Sequence, residues 1–110
     1  MRILSFSWTT EQFKQGIKTV TRRMNKPKFN CGDIVQAYDK LPHHGGKKIG
    51  LIKILDVREV RLREISDGEV AKEGFPSWTK SQFIYFIRSK YKGIRRSKIM
   101  WRIEFEKLGE

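Results

Sequence analysis

The stretch from Ile49 to Glu64 constrains the fold more than any other part of the chain. It is long, rich in β-branched residues, and reads as two strands or as one strongly bent strand. Val57, Arg58, Glu59 and Val60 interrupt its strict alternation, as a bulge would. Parallel neighbours in one sheet need a crossover of a dozen or more residues, usually a helix. No helical pattern interrupts this stretch, so a doubly wound parallel sheet is excluded. An α+β domain with an antiparallel or mixed sheet follows, its short twisted strands curled into a small β-barrel beside two or three helices.

The remaining elements fall around that stretch. Ile3 to Phe6 is a first short strand. Thr9 and Gln12 have capping-box spacing and open a helix, in which Phe13 and Ile17 face the core and which Gly16 stops. A loop containing Pro27 and Gly32 leads to a strand over Asp33 to Tyr38, and Leu41 to Lys48 is a flexible turn. Ser66-Asp67-Gly68 turns the chain, and Glu69 to Gly74 is a short helical segment closed by glycine. Thr79 and Gln82 repeat the capping-box spacing, before a helix with Phe83, Ile87 and Tyr91 on one stripe and Gly93 at its end. Ile99, Trp101, Ile103 and Phe105 alternate with polar residues in a half-buried closing strand. Neither linker nor repeat divides the 110 residues, so 1–110 is read as a single domain.

With 38% hydrophobic and 12% aromatic residues, the chain has enough apolar surface to fold. No apolar run approaches the ~20 residues of a bilayer span. The start, Met1-Arg2-Ile3-Leu4-Ser5-Phe6, is too soon polar for a signal peptide. Cys31 is the single cysteine, which leaves no internal disulfide. A cytoplasmic protein is the expectation, with no cofactor. His43 and His44 are adjacent on a glycine-rich loop without a third ligand, so no metal site is expected.

Charge points to the partner. Lysine and arginine number 24 against 12 acids, a net +12. From Gln12 to Gly32 there is no acidic residue, and from Gly74 to Ile103 there is none either. The acids concentrate between Asp56 and Glu73. Two unneutralised segments suggest a continuous positive surface for a polyanion. In the first, Lys18, Arg22, Arg23, Lys26 and Lys28 are the expected contacts. In the second they are Arg95, Arg96 and Lys98, with Trp78 at a helix start as the aromatic expected to be partly exposed.

Gly16 to Arg23 reads as a helix end, a turn and a strand start. Along the strand Thr21 and Arg23 share one face and Arg22 takes the other. Lys18 lies in the turn, free of that parity. An amine, a hydroxyl and a guanidinium therefore have a route to one pocket.

In that order, Gly16, Lys18, Thr21 and Arg23 resemble the G-x-K-x-x-T-x-R pattern of the ASCH family, activating-signal-cointegrator homology domains of the PUA-like superfold. Glu73-Gly74-Phe75 is a second, weaker match. The resemblance implies a small β-barrel with a cleft between barrel and helices, and a partner that is RNA, single-stranded or looped, or a modified nucleoside. Some members are enzymes: one branch hydrolyses N4-acetylcytidine, and another is a ribonuclease. Carried over, the amidohydrolase trio falls on Lys18, Thr21 and Glu73. The two basic stretches favour a polymer over a free nucleoside.

The residue types suit either role. A threonine hydroxyl attacks only after a base removes its proton, and a lysine is that base only when burial or a like charge such as Arg23 lowers its pKa. A glutamate can relay the proton to a leaving amine. For binding, Lys18 and Arg23 grip phosphate, Thr21 bonds a base or sugar, and Glu73 accepts from a cytosine amino group. An RNA-binding pocket, a hydrolase, and a basic protein that coats nucleic acid without a pocket remain the three readings.

Overall fold

The structure, a computed structural model, describes residues 2–109. Met1, where the N-terminal reading begins, and Glu110, where the tail ends, lie outside them. Among the described residues there are five strands and three α-helices. In chain order these are β1 (Ile3–Ser5), α1 (Thr10–Lys14), β2 (Val20–Arg23), β3 (Ile34–Tyr38), β4 (Lys48–Arg61), α2 (Asp67–Lys72), α3 (Lys80–Lys90) and β5 (Ile99–Lys107). Short 3-10 turns cover Ser7–Thr9, Pro42–His44 and Leu62–Glu64.

The sheet order is β1-β3-β4-β5-β2, with β1 parallel to β3 and every other neighbour antiparallel. This is the mixed sheet of an α+β domain. The barrel expected from the sequence is not closed by a ladder, because β1 and β2 remain the two edges. Their approach is bridged by a side chain instead, where Arg23 Nη2 donates to the Ser5 carbonyl at 2.6 Å.

The β-rich stretch is one strand of 14 residues, β4. Its bulge lies at Leu55, between the pairs Ile54–Phe105 and Asp56–Glu104, rather than at Val57 to Val60. The Leu55 carbonyl there accepts from the Cys31 thiol. Between Val57 and Val60 the ladder to β5 is regular, so the broken apolar alternation has another cause, the covering of both sheet faces.

Two apolar clusters account for that. The first holds Phe6, Phe13, Val35, Ile52, Ile54, Ile103 and Phe105, with Phe6 and Phe13 stacked at 4.8 Å. The second holds Leu62, Ile65, Val70, Phe83, Ile84, Ile87 and Met100 beneath α2 and α3. Strand β5 therefore buries Ile103 and Phe105 on one face and Met100 on the other, while Ile99 is exposed and Trp101 half-buried. The single alternating stripe read from Ile99 to Phe105 holds only at its C-terminal end.

Helix α1 also departs from expectation. It ends at Lys14, and Gly16, at φ +76°, turns the chain, so the i+4 relation from Phe13 never reaches Ile17. Ile17 is 39% exposed, whereas Phe13 is fully buried.

A cavity between the sheet edges and helix α3

Around the chain reversal at Gly16, the amides of Ile17 and Lys18 both donate to the Gln12 carbonyl. The Thr19 amide donates to Lys72 of α2, which draws α2 against β2. Gly74 follows α2 at φ +111°, and a Cβ there would sit 2.9 Å from that of Gln12. The ends of α1 and α2 thus meet back to back, and Lys18 faces Glu73 across the junction.

Lys18 is 4% exposed. Its Nζ donates to the Glu73 carbonyl at 2.8 Å and to Glu73 Oε1 at 3.2 Å. Arg22 Nη1 donates to Glu73 Oε2 at 2.8 Å, so both carboxylate oxygens are engaged. Burial lowers the Lys18 pKa, aided by the positive charges of Arg23 and Arg22 and opposed by Glu73. Burial likewise lowers the Arg23 pKa, opposed by Tyr91 and Glu73. Arg23 Nε donates to Thr21 Oγ1 at 3.1 Å, and its guanidinium lies 5.5 Å from the Phe6 ring centroid. The Thr21 oxygen is thereby held while its own proton is left without an acceptor among the described residues.

These groups surround a cavity of about 190 Å³ whose walls include Lys18, Thr21, Arg22, Arg23 and Glu73. Aromatic side chains also line it, among them Trp8, Phe75, Phe86 and Tyr91. Trp8 sits on the turn before α1, 47% exposed, with its ring edge-on to Phe86 and Tyr91 at 6.0 and 5.6 Å and Lys90 Nζ 5.5 Å from its centroid. The exposed tryptophan of the cavity is therefore Trp8. Trp78 is half-buried, stacked on Phe75 at 4.0 Å, and lines a shallower groove outside the cavity. Nothing in the local sequence marked Trp8 beyond a large aromatic between Ser7 and Thr9 just ahead of a helix start.

Arg22 and Arg102 are directly opposed across β2 and β5, and both are buried. Two like charges side by side are tolerable only with shared counterions, and Glu69 serves both. It accepts from Arg22 Nη2 at 3.1 Å, and from Arg102 Nε at 2.6 Å and Nη2 at 3.1 Å. Glu104 takes Arg102 Nη1. The Arg102 hydrogen bonds hold the Glu69 carboxyl down at about 2, with Arg22 adding to the effect. Arg22, read as a phosphate contact on the face away from Thr21, is thus tied into this network while still lining the cavity. At Arg22 and Arg102 the acid-free segments are neutralised in space, because α2 and its end return acids from the centre of the chain to both arginines.

The other expected contacts lie outside the cavity. Lys26 and Lys28 are exposed on the loop after β2, with Lys26 Nζ 5.6 Å from the Trp101 ring. Arg95, Arg96 and Lys98 are exposed before β5. His43 and His44 form part of an exposed turn, and among the described residues no group of three or more His, Cys, Asp or Glu could hold a metal ion. No described helix is long and apolar enough to cross a membrane.

Comparison with solved structures shows that the chain has the fold of ASCH domains. The ASCH domain from Lactobacillus crispatus JV V101 superposes with a TM-score of 0.72 at 12% identity, over 96% of this chain and 79% of its own. The hypothetical protein PH0355 matches with a TM-score of 0.70 at 20% identity, over 98% of this chain and 100% of its own. A point mutant of ZmASCH from Zymomonas mobilis matches at 0.64 and 15% identity, over 94% of this chain and 66% of its own. No family model and no curated protein matches the sequence.

Proposed function

We propose that the chain is an RNA-binding ASCH domain that receives one nucleotide in the cavity. The observation that carries this reading is that one cavity is lined both by buried cations with a hydroxyl and a carboxylate and by aromatic rings. Lys18 and Arg23 outnumber the single charge of Glu73, which is already shared with Arg22, so the cavity favours an anion such as a phosphate. The rings of Trp8 and Phe86 offer a face to a base, and Thr21 can donate to a base or sugar oxygen. Lys26, Lys28, Arg96 and Lys98 supply longer-range attraction to a strand.

The test is a titration with cytidine 5′-monophosphate and with a ten-nucleotide single-stranded RNA, followed by tryptophan fluorescence and by anisotropy. Trp8→Ala weakens both ligands by about five-fold or more, the loss of one stacked base. Thr21→Val, which keeps the branched shape of the strand residue and deletes the hydroxyl, also weakens both. Affinities unchanged by both variants would overturn the reading.

Hydrolysis is the second reading, favoured by a buried Lys18 with a lowered pKa that lines the same cavity as Thr21 and Glu73. On this reading neutral Lys18 takes the Thr21 proton as Oγ1 bonds to an acyl carbon. The proton passes through Glu73 to the departing amine, and water then releases the acid. N4-acetylcytidine and single-stranded RNA are the two substrates to offer, with acetate or fragments as readout. Turnover by the parent that Thr21→Val abolishes would support this role.

A further inference from the structure

Helix α3 turns Phe83, Ile84 and Ile87 into the second apolar cluster. Its opposite face carries Tyr85, 77% exposed, the most exposed of the large apolar side chains. Gln82, Tyr85, Arg88 and Ser89 recur at intervals of three and four residues and share that face. Two surface depressions meet at Tyr85. One is a groove that also contains Trp78, Phe86 and Ser81, and the other is a basic hollow with Arg88, Ile94 and Arg95. Phe86 belongs both to the groove and to the wall of the cavity. A continuous surface therefore runs from the cavity across Phe86 and Trp78 to Tyr85, and on to Arg88 and Arg95.

We infer that the outer face of α3 is a second nucleic-acid contact, where Tyr85 stacks a base outside the cavity and Arg88 and Arg95 take phosphates of the same strand. One helical turn separates Tyr85 from Arg88, about 4.5 Å along the axis, which sets a ring and a guanidinium side by side. Arg88 Nε donates to the Ile94 carbonyl at 3.1 Å, which fixes the guanidinium and leaves its terminal nitrogens without partners among the described residues. Among the described residues neither Arg88 nor Arg95 forms an ion pair with an acid. Tyr85 stands between a groove that holds Trp78 and Phe86 and a hollow that carries Arg88 and Arg95, and rings beside cations are the pattern of a single-strand groove. The inference rests on the cavity reading for where the strand enters, and on α3 alone for the second contact. It makes the ligand a strand of several nucleotides rather than a free nucleoside.

The same two ligands test it, with Tyr85→Ala, Tyr85→Phe and the double variant Arg88→Ala/Arg95→Ala. Tyr85→Ala weakens the ten-mer by about five-fold or more and Tyr85→Phe restores it, as expected of stacking. The arginine pair lowers the ten-mer affinity and flattens its log–log salt dependence by roughly 1.4, or 0.7 for each phosphate lost. Neither change alters the affinity for cytidine 5′-monophosphate. Equal ten-mer binding by parent, Tyr85→Ala and the arginine pair would overturn the inference, and so would a parent that does not bind the ten-mer. If Trp8→Ala and Thr21→Val bind both ligands normally while Tyr85→Ala loses the ten-mer, the cavity reading falls and the helix face stands.

Discussion

Glu73 is the residue on which the site's charges depend. Among the described residues it is the only carboxylate in contact with Lys18, and it engages Arg22 through its other oxygen. A buried ion pair gains little over an apolar replacement of both partners, but removing one partner leaves a charge stranded in low dielectric. Glu73→Ala therefore destabilises the fold by about 3–5 kcal/mol, read from urea unfolding. Lys18→Met combined with Glu73→Leu recovers part of that loss, since it removes the Lys18 charge while Arg22 keeps Glu69. A loss below about 1 kcal/mol in the single variant would mean that solvent reaches Lys18 and Arg22 readily. Arg22 Nε is buried without a partner among the described residues, even in the intact network. Such an orphan donor, like the buried pair itself, is a cost that the arrangement of the site explains and stability does not.

Among the elements, two threonines at the same spacing from a glutamine behave differently. Thr79 has an extended backbone, φ −85° and ψ 165°, and both arms of its capping box with Gln82 form. Thr9 stands at φ −133° and ψ 25° as the last residue of a 3-10 turn, and its side chain caps nothing, although the residue spacing is identical. Local spacing was sufficient to read the α3 start and the Gly16 stop, whereas α3 already leaves helical geometry at Tyr91, two residues before Gly93. The Thr9 cap, the facing of Ile17 and the stripe of β5 depend on which layers cover them, and spacing carries no record of that. The candidate site divides in the same way. Gly16 to Arg23 and Glu73 were visible as short motifs, while Trp8, Tyr91 and Glu69 arrive from separate elements through the fold. Gly74 shows what such a junction demands. Gly74→Ala combines a backbone that only glycine adopts easily with a clash against Gln12, and costs about 1–3 kcal/mol or more. Gly16→Ala has open space around its Cβ, bears only the left-handed strain, and costs about 1–2 kcal/mol. Urea midpoints of the two variants check the order, and a Gly16 loss larger than that of Gly74 would refute it.

For the whole molecule, the acids of α2 act as counterions to the sheet. Glu69 titrates at about 2 when folded, below its ordinary 4.5, so its contribution to stability is fully present above about pH 4.5 and is lost as pH falls toward 2. Acid unfolding followed by circular dichroism should steepen in that window, and Glu69→Gln should remove that part of the pH dependence. An unchanged profile would locate the acid sensitivity elsewhere. Arg23 has a consequence of another kind. A sheet with two free margins invites a neighbouring chain to extend it, and natural sheets guard such margins with short strands, charges or covering helices. Here β1 offers only three residues, and one of its carbonyls is already occupied by the Arg23 guanidinium. Along β2, α2 packs close and the Thr19 amide is already spent on Lys72. The contact that shapes one end of the cavity thus also denies a template to a second copy, and so protects the chain against edge-to-edge self-association.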